Sequence, residues 1–154
     1  MPAYFFDTSA LVKRHVHEIG STWVEAVTDP VTGNAIYILC VTEVEVTSAI
    51  TRRQRGGTLS ATDAATALAQ FRQDLANEYN AIEVTPGLLA TAVALVETHG
   101  LRAYDAMQLA AATTLQAYRA PLALTNLIFV SADHDLKTAA VAEGLSVEDP
   151  NMHP

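Results

Sequence analysis

The segment Ala35-Ile36-Tyr37-Ile38-Leu39-Cys40-Val41 is apolar without interruption and rich in β-branched and aromatic residues. A strand with one wet face alternates apolar and polar residues, whereas a strand covered on both faces does not. The segment therefore predicts a strand inside a sheet that carries helices on both sides.

The neighbouring segments extend this pattern. Ala3 to Phe6 is a shorter apolar run, read as a buried strand, and Thr8 offers an N-cap to a short helix reaching about Val16. A helical piece from about Ser21 to Val27 stops near Asp29-Pro30. Thr42 begins a helix that ends near Gly56-Gly57, and Thr58 to Tyr79 is helical, opened by Ser60 or Thr62 and rich in Ala, Leu and Gln. Ala81 to Val84 reads as a short strand. Pro86 suits the first turn of a helix ending at His99-Gly100. Arg102 to Tyr118 is an Ala-rich helix with Pro121 at its exit, Leu127 to Val130 a strand, and Asp133 the entry to a helix ending at Gly144. Ser146 to Glu148 is the last strand. Such alternation predicts one α/β domain over residues 1–154, with a central, mainly parallel twisted sheet of about five short strands between two helical layers. Right-handed crossovers put the C-terminal ends of the strands on one edge, where ligands bind near the point at which strand order reverses.

Composition narrows the functional classes. Half of the 154 residues are apolar and 17% are charged, which supports a sizeable core and excludes a disordered chain. No apolar run approaches the ~18–20 residues of a membrane span, and Met1 to Phe6 has no basic segment leading into a long apolar stretch, so neither a membrane anchor nor a secretory signal is expected. Cys40 is the only cysteine, which fits a reducing cytoplasm. The net charge of −8 argues against a broad basic nucleic-acid surface. It is compatible with carboxylates gathered around a cation. The basic residues are few but grouped, as Lys13 and Arg14 and as Arg52, Arg53 and Arg55.

Asp7 directly follows the first strand, Glu45 lies in the first turn of the helix after the second, and Asp133 sits just beyond the strand Leu127–Val130. All three project from the same predicted edge. Asp105 stands in the first turn of its helix after the Gly100 break, and the strand rule does not place it. Magnesium and manganese are hard cations that choose oxygen ligands. Near a phosphodiester such an ion acidifies bound water, polarises the phosphoryl oxygen and neutralises the leaving alkoxide. Without the ion the carboxylates repel one another and at least one has a raised pKa.

Each acid also has a purely structural reading. Asp7 suits a turn or cap, Thr42-Glu43-Val44-Glu45 matches a capping box, Asp105 complements a helix dipole, and Asp133 after Ser131 is an N-cap candidate. Ser9 and Ser131 are auxiliary candidates for hydrogen bonding to a water or phosphate, or simple caps. Asp135 is an auxiliary ligand candidate or a solvated first-turn acid. Arg52, Arg53 and Arg55 either contact phosphates or satisfy the end of a helix. The five histidines show no metal-ligand spacing. An aspartyl-nucleophile phosphatase at Asp7 would want a second acid two residues on, where Ser9 stands.

Four stretches together resemble the PIN-domain ribonucleases of the VapC toxin type. They are Phe6-Asp7-Thr8-Ser9-Ala10-Leu11-Val12-Lys13, Val44-Glu45-Val46-Thr47-Ser48-Ala49-Ile50, Leu101-Arg102-Ala103-Tyr104-Asp105-Ala106-Met107-Gln108-Leu109-Ala110 and Phe129-Val130-Ser131-Ala132-Asp133. Their order and spacing follow the family over almost the whole chain. The resemblance implies a PIN-like α/β/α fold and a site in which Asp7, Glu45, Asp105 and Asp133 surround one or two Mg²⁺ or Mn²⁺ ions, and it favours Glu45 over Glu43. It further implies hydrolysis of RNA, a homodimer, and a cognate antitoxin whose tail fills the active-site groove. A catalytically silent RNA- or protein-binding module of the same fold is the alternative.

Overall fold

Five strands, β1 (Ala3–Phe6), β2 (Ala35–Leu39), β3 (Tyr79–Ile82), β4 (Leu127–Val130) and β5 (Ser146–Glu148), form one sheet in the order β3-β2-β1-β4-β5. They do so in a computed structural model that describes residues Met1–Pro154. Every neighbouring pair is parallel. The helices are α1 (Thr8–His15), α2 (Ser21–Thr28), α3 (Thr42–Arg55), α4 (Ala61–Asn77), α5 (Pro86–His99), α6 (Ala103–Arg119) and α7 (His134–Ala142). The chain moves from β1 through β2 to β3 on one side, then returns to β4 on the other side of β1. Strand order thus reverses between β1 and β4, and a crevice opens beyond their C-terminal ends.

The alternating side chains of each strand divide between two cores. Ala3, Phe5, Leu127 and Phe129 face α5, α6 and α7, where they meet Leu88, Leu95, Leu109 and Leu136. Phe6, Ile36, Ile38 and Val130 face α1 to α4, packing with Leu11, Val46, Ile50 and Phe71. Both sheet faces are covered, as the unbroken apolar run of β2 requires. Phe5 and Phe129 are directly paired across β1 and β4. Their rings stack at 5.8 Å with an interplanar angle of 12°, in the middle of the first core.

Local departures from the sequence reading have tertiary causes. Helix α1 is capped by Asp7, whose carboxylate accepts from Ala10 N, not by Thr8. Strand β2 ends at Leu39, because Cys40 and Val41 turn the chain into α3. Helix α4 begins after the Ser60 cap and stops at Asn77, two residues before Tyr79. Tyr79 instead opens β3, which runs Tyr79–Ile82 where Ala81–Val84 was expected. Its ring is buried, and its hydroxyl meets His15 Nε2 at 3.2 Å and Asp74 Oδ2 at 3.4 Å. The His15 contact spans 64 residues, so it favours this register without leaving a local signal. No helix is long and apolar enough to cross a membrane.

Phe129→Ala removes a fully buried ring from the stacked pair. It is expected to cost about 3–5 kcal/mol, read as a lowered urea midpoint at unchanged slope. A cost below about 1 kcal/mol would show that the two rings do not anchor the sheet.

Candidate active site

Asp7 stands at the C-terminal end of β1 and caps α1, and its side chain is almost fully buried. Four donations converge on it. Ser9 Oγ donates to Oδ1 and Oδ2 at 2.7 and 2.9 Å, Ala10 N to Oδ1 at 2.9 Å, and Ser131 Oγ to Oδ2 at 2.6 Å. Such donors favour the charged form, but burial outweighs them and Asp105 adds repulsion, so the carboxyl is pushed up from 3.8 to about 6. Ser9 and Ser131 thus join the site as supports of Asp7. Ser9 Oγ also accepts from Ala132 N at 3.0 Å, tying α1 to the loop after β4.

Glu45 lies in the first turn of α3, but the capping box does not form. Val41 is the cap residue and gives no side-chain bond, and Thr42 turns inward. Glu45 Oε1 instead accepts from Thr8 Oγ1 at 2.9 Å and Gln108 Nε2 at 3.1 Å. Both donors use the same oxygen, which leaves Oε2 without a protein donor on a residue that lines the cleft. Gln108 Nε2 also reaches Thr42 Oγ1 at 3.0 Å and Thr8 Oγ1 at 3.3 Å, so one buried amide links α6, α3 and α1. Sequence reading passed over Gln108. The available signal was its place one turn beyond Asp105, as a polar residue on the apolar face of an Ala-rich helix.

Asp105 reaches the same place by a different route. Gly100 ends α5 with φ 67°, a left-handed conformation suited to glycine, and the chain reverses into α6. The first turn of α6 then brings Asp105 to the cleft. Asp133 caps α7, its Oδ1 accepting from Leu136 N at 2.8 Å, and its Oδ2 points toward Arg102. The Arg102 guanidinium lies between the two acids, 3.3 Å from Asp105 Oδ2 and 3.6 Å from Asp133 Oδ2. Even so, partial burial and the charge of Asp133 hold the Asp105 carboxyl above its usual range.

Asp7, Glu45, Asp105 and Asp133 therefore line one cleft of about 290 Å³ at the reversal of strand order, with Gln108 and Arg102. Asp135 does not line it; it faces an adjoining cavity with His99, His134 and Asp105. Glu43 does not line it either. The donors are oxygens throughout, the type a hard divalent cation selects. No three of the acids converge closely enough to be a ready-made ligand set. The donor chemistry thus fits such an ion, but the spacing requires Arg102 to leave and the carboxylates to close in. The Arg102 side chain is 84% exposed and free to swing out.

An all-parallel α/β/α domain with an acidic cleft at its switch point is the class that fold and site define. Residues 4–142 match the PIN domain, and the chain belongs to this family. Its fold is shared with solved structures of low sequence identity. A VapBC2 complex from Rickettsia felis, bound to a DNA fragment from its promoter, matches with 14% identity and a TM-score of 0.62, over 96% of this chain and 98% of that one. A toxin–antitoxin complex from Klebsiella pneumoniae matches with 21% identity and a TM-score of 0.60, over 96% and 97%. PAE2754 from Pyrobaculum aerophilum matches with 20% identity and a TM-score of 0.61, over 99% and 93%. No curated protein matches the chain by sequence.

Two outcomes follow for the metal-free protein. Between 3.8 and about 6 the native Asp7 carboxyl keeps a proton that the unfolded chain releases. Stability is therefore lost as pH rises through that window, by about 3 kcal/mol from this group. Asp7→Asn removes the loss and retains the cap. Urea unfolding in EDTA at pH 4 and pH 7 is expected to show the variant gaining on the parent at the higher pH; parallel pH dependences would refute the buried, raised carboxyl. Gln108→Leu removes the buried donor to Thr42 Oγ1 and leaves Glu45 Oε1 with Thr8 alone, and it is expected to cost about 1–3 kcal/mol by the same measurement; an unchanged midpoint would remove Gln108 from the network.

Proposed function

We propose that this chain is a Mg²⁺-dependent endoribonuclease, the toxin of a toxin–antitoxin pair, that hydrolyses RNA phosphodiester bonds at the acidic cleft. The observation that carries this reading is that four acids from four separate segments line one cleft where the strand order reverses. PIN domains are generally nucleases and usually use divalent metals, which supports it. Two of the fold's solved relatives are toxin–antitoxin complexes, which supports an antitoxin partner here. The working form is a homodimer acting in the cytoplasm.

In this reading Asp7 and Asp105 hold the principal ion, and Glu45 and Asp133 complete the set directly or through water. Mn²⁺ serves the same donors. The bound ion supplies Lewis-acid polarisation of the phosphoryl oxygen and counter-charge for the leaving alkoxide. The protein's part is orientation. Ser9, Ser131 and Ala10 N hold the Asp7 carboxylate in one plane, while Thr8 and Gln108 hold Glu45 by Oε1 and present Oε2 to a water or an ion. Arg102, displaced from Asp105 and Asp133, becomes a cation at the rim for the RNA backbone. One observation favours the rival reading of a silent binding module: Arg102 already neutralises two of the acids without any metal.

Cleavage of labelled single-stranded RNA separates the two. The nuclease reading expects activity that rises with Mg²⁺, disappears in EDTA, and falls on the order of 10²-fold or more in Asp7→Asn and Asp105→Asn. Cleavage by Asp7→Asn at the parent's rate would overturn it.

A further inference from the structure

We propose that the cavity beside the acidic cleft is a nucleobase subsite, in which the Tyr104 ring stacks on a base flanking the cleaved phosphate and Arg52 holds a neighbouring phosphate. The proposal rests on the nuclease reading and adds to it the part of the substrate that is held.

The cavity has a volume of about 520 Å³ and shares Thr8 and Glu45 with the acidic cleft, so the two are continuous. That size lies within the about 300–1,000 Å³ of clefts that hold small organic groups. One wall is a face of α3. Val41, Glu45 and Ala49 recur every fourth residue, as do Val44, Ser48 and Arg52, so both rows lie on neighbouring lines of one helix surface. Across the cavity stands Tyr104, the residue before Asp105, with 58% of its surface exposed. Val44 on the facing rim is 70% exposed. An aromatic ring and an aliphatic side chain thus remain in water on either side of a slot that leads to the carboxylates.

The chemistry along the slot follows that of a nucleotide. The cavity opens on the acidic cleft through Glu45, carries apolar walls and an exposed ring, and has the Arg52 guanidinium toward the C-terminal end of its α3 wall. Arg53, next in sequence, is engaged by Glu18, whereas Arg52 enters no ion pair. Seven residues separate Glu45 from Arg52, about 10 Å along the helix axis. That is more than the span of one extended nucleotide, so the cation is set to meet a neighbouring phosphate and not the cleaved one. Single-stranded RNA presents unstacked bases that pack on aromatic side chains, with every base offering a flat face. Because the cavity opens on the cleft at Thr8 and Glu45, a base on the Tyr104 ring brings its own sugar and phosphate toward the acids.

The test measures binding of fluorescently labelled single-stranded RNA oligomers to the full chain by anisotropy, with Ca²⁺ replacing Mg²⁺. A single abasic site is walked through the oligomer. In the parent, one abasic position is expected to weaken binding about tenfold. Tyr104→Ala should bind the intact RNA about tenfold more weakly and be indifferent to that abasic position, while Tyr104→Phe stays near the parent. Arg52→Gln should lower the salt dependence of binding by about 0.7 in the log–log slope. Parent-like RNA binding by Tyr104→Ala, or the same abasic profile in both proteins, overturns the subsite. So does loss in these variants of binding to a partner protein with RNA binding intact, which would make the slot a protein groove. Cleavage with Mg²⁺ is scored separately: Tyr104-dependent binding by a parent that never cleaves keeps the subsite and refutes the nuclease reading, and cleavage with Tyr104-independent binding does the reverse.

Discussion

Carboxylates crowded at the mouth of a parallel sheet repel one another, and the rest of the site is arranged around that repulsion. Asp7 is the buried one, and loss of hydration weighs on its charge more than the repulsion from Asp105 does. Three short hydrogen bonds from Ser9 and Ser131 favour its charge, yet desolvation prevails and the carboxyl is raised to about 6. At the open side of the cleft Arg102 answers the same problem with an exposed cation between Asp105 and Asp133. Glu45 is held by neutral donors from Thr8 and Gln108.

The fold supplies this crowding cheaply. In a sheet whose strands are all parallel, every crossover returns the chain to the same edge, and the residues that begin the next helix point into a shared crevice. Asp7 and Asp133 are each helix caps and cleft acids at once. The structural and functional readings of these residues therefore do not compete: in Asp133 one carboxylate oxygen closes the helix start and the other points toward Arg102, and Asp7 lines the cleft while its Oδ1 caps α1. The double role also ties the site to the stability of α1 and α7, so loosening either helix start moves a site carboxylate with it.

The surroundings of the cleft are asymmetric. On one side Arg102, His99, His134 and Asp135 form a polar cavity, and on the other Tyr104, Val44 and Arg52 form the larger, more apolar slot. The acids lie in the cleft between them. The slot belongs to this chain's own side chains, and its exposed ring is the feature that the acidic chemistry alone does not explain.

The sequence by itself determined the layer architecture, because unbroken apolar strands demand cover on both faces, and short-range periodicity is enough to find the helices. It also determined which acids follow strands, so Asp7, Glu45 and Asp133 are legible as a group from the chain alone. The motif around Asp105 was legible only by resemblance, since its position depends on how α5 reverses into α6 at Gly100. Tertiary structure alone decided the rest. It turned Thr42 from a cap into a buried partner of Gln108, moved β3 to start at Tyr79, placed Arg102 between two acids, and left Asp135 outside the cleft. Each of these depends on hydrogen bonds or charges between residues dozens of positions apart, or on which face of a helix the packing exposes. Local propensity holds no record of either.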